Sequence, residues 1–159
     1  FDFSMIFQQA ANQFRHFFIS FGFDELPAKR RFMVLVCVGI TAIMLVFCLT
    51  PLHQWVWGTL MGLPTQVIAV AKDATLVMCL MPAIIIYRNY FHAHLMVMRR
   101  TGGMAYGSIL RVIGIYACAQ LFFSSGWLSH ISATFILLLG FVIEAATARI
   151  ASALAANSK

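Results

Sequence analysis

Acidic side chains are scarce in this sequence, with five Asp and Glu among 159 residues. Charge of either sign is sparse, at 10% of positions. A water-soluble domain carries about 25% charged residues on its skin. With 62% hydrophobic residues and a mean hydropathy of +0.88, the chain has too little polar surface to face water all round. The shortage of charge therefore excludes an ordinary soluble fold and makes lipid the main solvent. Other motifs are missing too. No GxSxG elbow, HExxH pair or phosphate-binding glycine loop is present, so the sequence gives no sign of an enzyme. Cys37, Cys48, Cys79 and Cys118 all lie inside apolar runs, and none falls in a CxxC spacing. They read as small hydrophobes of a membrane core. His92 and His94 stand close together, but no acidic or thiol ligand lies near them in sequence, so no metal is expected.

The charge that is present is ordered. Lys29, Arg30 and Arg31 precede one apolar run, Arg99 and Arg100 follow the next, and Arg149 and Lys159 close the last. The turns at 51–66 and 122–131 between them carry no charge. This alternation is the positive-inside pattern of a multi-pass membrane protein. It predicts that 24–31, 99–105 and the C-terminus lie on the cytoplasmic side of the cell's inner (plasma) membrane. The net charge of +6 then reflects anionic lipid headgroups as partners, not nucleic acid. The chain opens at Phe1 on a hydrophobic segment, shows no signal peptide, and reads as an excerpt of a longer protein.

Periodicity predicts an all-α bundle of about five helices in a single transmembrane domain. Residues 3–23 are amphipathic, with Phe3, Phe7, Ala10, Phe14, Phe17 and Phe21 at helical steps. Gln9, Asn12, Gln13 and His16 share the other side. This segment either lies in the interface or spans the membrane with its polar face in a cavity. Spanning helices are expected over 32–50, 64–100, 106–123 and 129–155. The first would extend about 28 Å, close to one hydrocarbon core. Pro82 sits within the third and should bend it. Gly39 offers a second flexible point. Gly102 and Gly103 are expected to form a turn, and Trp55 and Trp57 an interfacial belt.

Ionisable groups within spans mark pairs or cavities. Arg88, Arg111 and Glu144 would reach one level if their helices pack together. Glu144 would then neutralise a guanidinium, and spare basic charge with His92 would attract an anion from the cytoplasmic side. Gln9, Asn12 and His16 are the expected cavity lining. Lys72 and Asp73 form a separate polar site toward the outer side. A helix-locking pair is the plainer account of Glu144.

The order of features resembles one repeat of the multidrug/oligosaccharidyl-lipid/polysaccharide flippase superfamily. That superfamily includes the MATE exporters, polysaccharide flippases and the progressive ankylosis protein family. The resemblance spans residues 5 to 156. It rests on Gln9, Asn12 and Arg15, the run Lys29-Arg30-Arg31, Gly62-Leu63-Pro64 and Tyr87-Arg88-Asn89-Tyr90-Phe91-His92. It continues through Arg99-Arg100-Thr101, Gly107-Ser108-Ile109-Leu110-Arg111 and the helix of Glu144. It implies helices two to six of a six-helix MATE-like half, with a second bundle supplied by the rest of a full-length transporter. It further implies alternating access for a small-molecule or lipid-linked substrate, coupled to H+ or Na+, with no bound cofactor. The alternative is a non-transporting membrane subunit or scaffold that assembles by helix packing.

Overall fold

A computed structural model describes residues 2–157, and the side chains of residues 6 and 8–156. Lys159 and the side chains of Phe3 and Phe7, used above, lie outside the described residues. Every regular element among them is helical. The order is α1 (Asp2–Asn12), α2 (Phe14–Phe21), α3 (Leu26–Leu49), the short α4 (Leu52–Gln54) and a π-helical turn (Trp55–Leu60). Then follow α5 (Thr65–Met78), α6 (Met81–Val97), α7 (Gly102–Ser124) and α8 (His130–Asn157). Helices α3, α7 and α8 are long and apolar enough to cross a membrane, and α5 with α6 forms a fourth crossing if their bent pair is one span. The protein is therefore an all-helical, membrane-embedded bundle.

Packing shows why lipid must cover most of it. On α3 the buried residues Met33, Ile40, Met44, Phe47 and Cys48 form one stripe. Val34, Leu35, Val38, Ile43, Val46 and Leu49 point outward. On α7 only Gly107 is buried among the described residues. Water would penalise apolar faces of this extent, whereas hydrocarbon does not.

Several boundaries differ from the sequence expectation. The 3–23 segment is two helices, with Gln13 between them. Helix α3 starts at Leu26, with Pro27 in its first turn, so Lys29-Arg30-Arg31 are helical and not a loop. Cations near a helix N-terminus oppose its dipole. Lys29 offsets this by donating from Nζ to Phe21 O at 2.8 Å and Gly22 O at 3.1 Å, which caps the end of α2. Gly102 and Gly103 open α7 and do not form the turn. The turn lies at residues 98–101, with Arg99 in the left-handed region at φ +55. Trp57 is buried against Phe47 and His53 and is not in an interfacial belt. Helix α3 runs unbroken through Gly39.

The expected single helix over 64–100 is instead broken at Cys79 and Leu80, with a bend of 40°. Pro82, second in α6, has no N–H to offer Met78 O. The chain tightens here through Cys79 N–H to Leu76 O at 3.2 Å and Leu80 N–H to Val77 O at 3.3 Å. Thr41 of α3 donates its hydroxyl to Cys79 O at 3.4 Å. A backbone break inside a membrane is tolerated where neighbours satisfy its freed groups in this way.

Helix α8 runs parallel to α6, matching Arg88 with Glu144 and His94 with Ser152. It runs antiparallel to α7, where small residues let the backbones approach. A Cβ built on Gly103 would lie 2.5 Å from Ala151 Cβ, and one on Gly107 would lie 3.4 Å from Glu144 O.

Two predictions follow from this packing. Gly103→Ala forces α7 from α8 and should cost about 1–3 kcal/mol. Gly102→Ala, whose Cβ meets nothing within 4 Å, should be nearly neutral. Thermal unfolding followed by circular dichroism in detergent measures both. Single cysteines at Lys29 and Arg100, in a background where Cys37, Cys48, Cys79 and Cys118 are replaced by alanine, should label from the same side of a sealed vesicle. Labelling from opposite sides would refute α5–α6 as one crossing.

Candidate functional site

Glu144 is the hub of the site. It lies on α8, buried to 3% exposure. Arg111 of α7 donates from Nη1 to Glu144 Oε2 at 2.7 Å, and Arg88 of α6 donates from Nη1 to the same oxygen at 3.3 Å. Ser108 Oγ donates to Oε1 at 3.4 Å, and His92 Nε2 stands 3.8 Å from Oε1. Helical spacing explains the convergence. Arg88 and His92 are four residues apart on α6, and Ser108 and Arg111 three apart on α7, so each pair shares a face.

Phe141, three residues before Glu144, supports both cations with its ring. The Arg88 and Arg111 guanidinium carbons lie 5.4 and 4.9 Å from its centroid. On the other side, Arg88 Nη2 donates to Asn12 Oδ1 at 3.4 Å and to Asn89 Oδ1 at 3.2 Å. Asn89 Nδ2 donates in turn to Ala11 O at 3.0 Å, satisfying a carbonyl at the end of α1. The α1–α2 break therefore docks on α6 beside the charged group.

This constellation carries more cation than anion. Two guanidiniums, those of Arg88 and Arg111, thus face one carboxylate. Several buried polar atoms have no partner among the described residues: Gln8 Nε2 and Oε1, Arg15 Nε, Arg88 Nε and His92 Nε2. Buried polar groups are nearly always satisfied, so this cluster has donor capacity left over.

The structure thus gathers Arg88, His92, Arg111 and Glu144, and brings Asn12 to their edge. It does not gather the other expected lining residues. Gln9 and His16 are exposed, on the outer side of α1 and α2. The residues that take that place, Gln8 and Asn89, are both buried, at 0% and 1% exposure. Gln8, Asn12 and Arg15 were legible as a polar row at helical spacing, but so were Gln9, Asn12 and His16. Only the packing of Ala11, Phe14 and Phe18 selects the first.

Lys72 and Asp73 lie on α5, apart from this cluster. Asp73 Oδ2 is 3.6 Å from His130 Nε2 across to α8, with both side chains exposed. Lys72 borders a recess of about 400 Å³ shared with His53, Gln54 and Thr65. His94 is turned away from His92 toward α8, with Nδ1 2.6 Å from Ser152 Oγ. Among the described residues no three of His, Cys, Asp and Glu gather as a metal site. Comparison with protein-family models, curated proteins and solved structures returned no match.

Removing one partner of a buried charge pair costs about 3–5 kcal/mol. Glu144→Gln strips the carboxylate from two guanidiniums at once, whereas Arg111→Gln leaves Arg88 on Glu144. Glu144→Gln should therefore be the more destabilising in detergent-solubilised thermal melts. Equal effects would show that Glu144 pairs with Arg111 alone.

Proposed function

We propose that the chain is part of a secondary membrane transporter of the flippase-superfamily type resembled by its sequence. The transporter moves an anionic small-molecule or lipid-linked substrate by alternating access, coupled to H+ or Na+. The observation that carries this reading is the surplus of buried cationic donors around Glu144. A helix lock alone needs one carboxylate and one guanidinium. Here two guanidiniums share that carboxylate, and unpartnered N–H groups remain among the described residues. Planar guanidiniums suit carboxylate and phosphate oxygens.

The backbone supports the same reading. Transporter sites form where spanning helices are interrupted and cavity-facing backbone can rearrange. One such interruption is present, between α5 and α6 at Cys79–Leu80, close to Pro82, and α1 also breaks from α2 at Gln13. In this proposal Pro82 supplies the bend used in the access change. Lys72 with Asp73, next to His130, forms the outer polar site and the candidate for ion coupling. A second helical bundle from the remainder of the transporter closes the cleft. The 24–31 segment, residues 99–105 and the C-terminus face the cytoplasm at the plasma membrane.

A second reading is a membrane subunit or scaffold without transport. The apolar face that α7 turns outward favours it, with Tyr106, Ile109, Val112, Ile113 and Tyr116 exposed, because a face of that size suits helix packing against a partner. One experiment separates the two. The full-length protein is reconstituted in vesicles, and flux of anionic metabolites and drug cations is compared under imposed proton and sodium gradients. Anion flux should appear and should fall at least tenfold in Arg111→Ala with insertion intact. Normal anion flux in that variant removes the proposed site, and absence of flux for every substrate favours the scaffold.

A further inference from the structure

A groove of about 530 Å³ lies between α6 and α8, and none of the Glu144 cluster lines it. Ala83, Ala145 and Ala146 line it, and their small side chains leave the trough open. Tyr87 and Ile150 wall it. The lining is apolar except at one end, where Arg149 stands exposed. Arg149 has no hydrogen bond or ion pair among the described residues. Its neighbour in charge, Glu144, is already committed to Arg88 and Arg111.

Depth decides what the groove suits. Arg149 lies 19 positions after His130, about 28 Å along the helix, and so about one hydrocarbon thickness from the start of α8. Helix α6 runs parallel to α8, so the Arg99–Arg100 turn lies toward the same end. The charged end of the groove is thus at headgroup level, and its apolar length runs toward the membrane centre. Tyr87, half-exposed and edge-on to Phe91, has the amphipathic character of a residue near that boundary. A bare guanidinium facing lipid is costly, and a phosphodiester offers it two oxygens in matching geometry.

We infer that this groove is a binding site for one anionic glycerophospholipid, with an acyl chain along Ala83, Ala145 and Ala146 and the phosphate on Arg149. The site is independent of the transport proposal, because none of its residues belongs to the Glu144 cluster. Charge complementarity at one end, with apolar length behind it, selects a lipid over a bare helix as occupant.

Native mass spectrometry of the purified protein, titrated with phosphatidylglycerol and with phosphatidylcholine, tests the inference. Wild type should retain one phosphatidylglycerol at least fivefold more tightly than phosphatidylcholine. Arg149→Gln should abolish that preference, and Arg149→Lys should keep most of it. Ala146→Leu, at an exposed position that fills the trough, should weaken retention of both lipids at least fivefold. The inference is overturned if Arg149→Gln still prefers phosphatidylglycerol or if Ala146→Leu binds as wild type does. It is equally overturned if a photo-crosslinker at position 146 captures a polypeptide in place of lipid in native membranes.

Discussion

The charge of a carboxylate inside a membrane protein has to be neutralised, by cations beside it or by a proton. A single charged side chain at the centre of a spanning helix costs about 2.5–3.5 kcal/mol even on permissive scales. Glu144 meets that constraint by recruiting one guanidinium from each of two neighbouring helices. The requirement fixes more than one pair of atoms. It sets the register of α6 against α8 and of α7 against α8, since Arg88, Arg111 and Glu144 must share one level. The glycines of α7 serve the same end, letting that helix come near enough for Arg111 to reach Oε2 at 2.7 Å.

From that hub the rest of the bundle follows outward. Arg88 is held on its far side by Asn12 and Asn89, and Asn89 ties down the end of α1. The α1–α2 segment then packs its aromatic stripe, Phe14 and Phe18 among it, over α6 and against Tyr90. Helix α3 closes this core through Met33, Ile40 and Met44. The polar centre is therefore walled by apolar layers, which raises the strength of every charge interaction inside it and the cost of any group left unpaired.

Much of this was legible in the sequence, and the reason is physical. Lipid imposes a length on helices and a penalty on charge, so the runs at 32–50 and 129–155 announce α3 and α8 to within a few residues at most ends. The same penalty singles out Arg88, Arg111 and Glu144. What the sequence left open are choices made by packing. Hydropathy does not distinguish a continuous 64–100 helix from one broken at Cys79–Leu80, because both bury the same side chains in the same solvent. Pro82 marks the neighbourhood, but where the chain tightens depends on Thr41 reaching Cys79 O from another helix. Nor does polarity alone choose between the Gln8 and Gln9 rows, which differ by one step of 100° around α1. A buried glutamine is an exception to the patterning rule, so the rule points to Gln9.

Exceptions of this kind carry functional information. In the bundle several local rules are broken: Gln8 is buried with no hydrogen-bond partner among the described residues, His92 is buried with Nε2 3.8 Å from Glu144 Oε1, and two guanidiniums stand over a single acid. A helix contact selected only for stability would not accumulate them, since replacing such groups by apolar ones of similar volume is often neutral or stabilising. The groove between α6 and α8 shows the contrast. There the local rules hold, with small apolar residues inside and a single cation at headgroup depth, as expected of a surface shaped to its solvent and not to a reaction. The two regions share α6 and α8, yet no residue that lines the groove belongs to the Glu144 cluster.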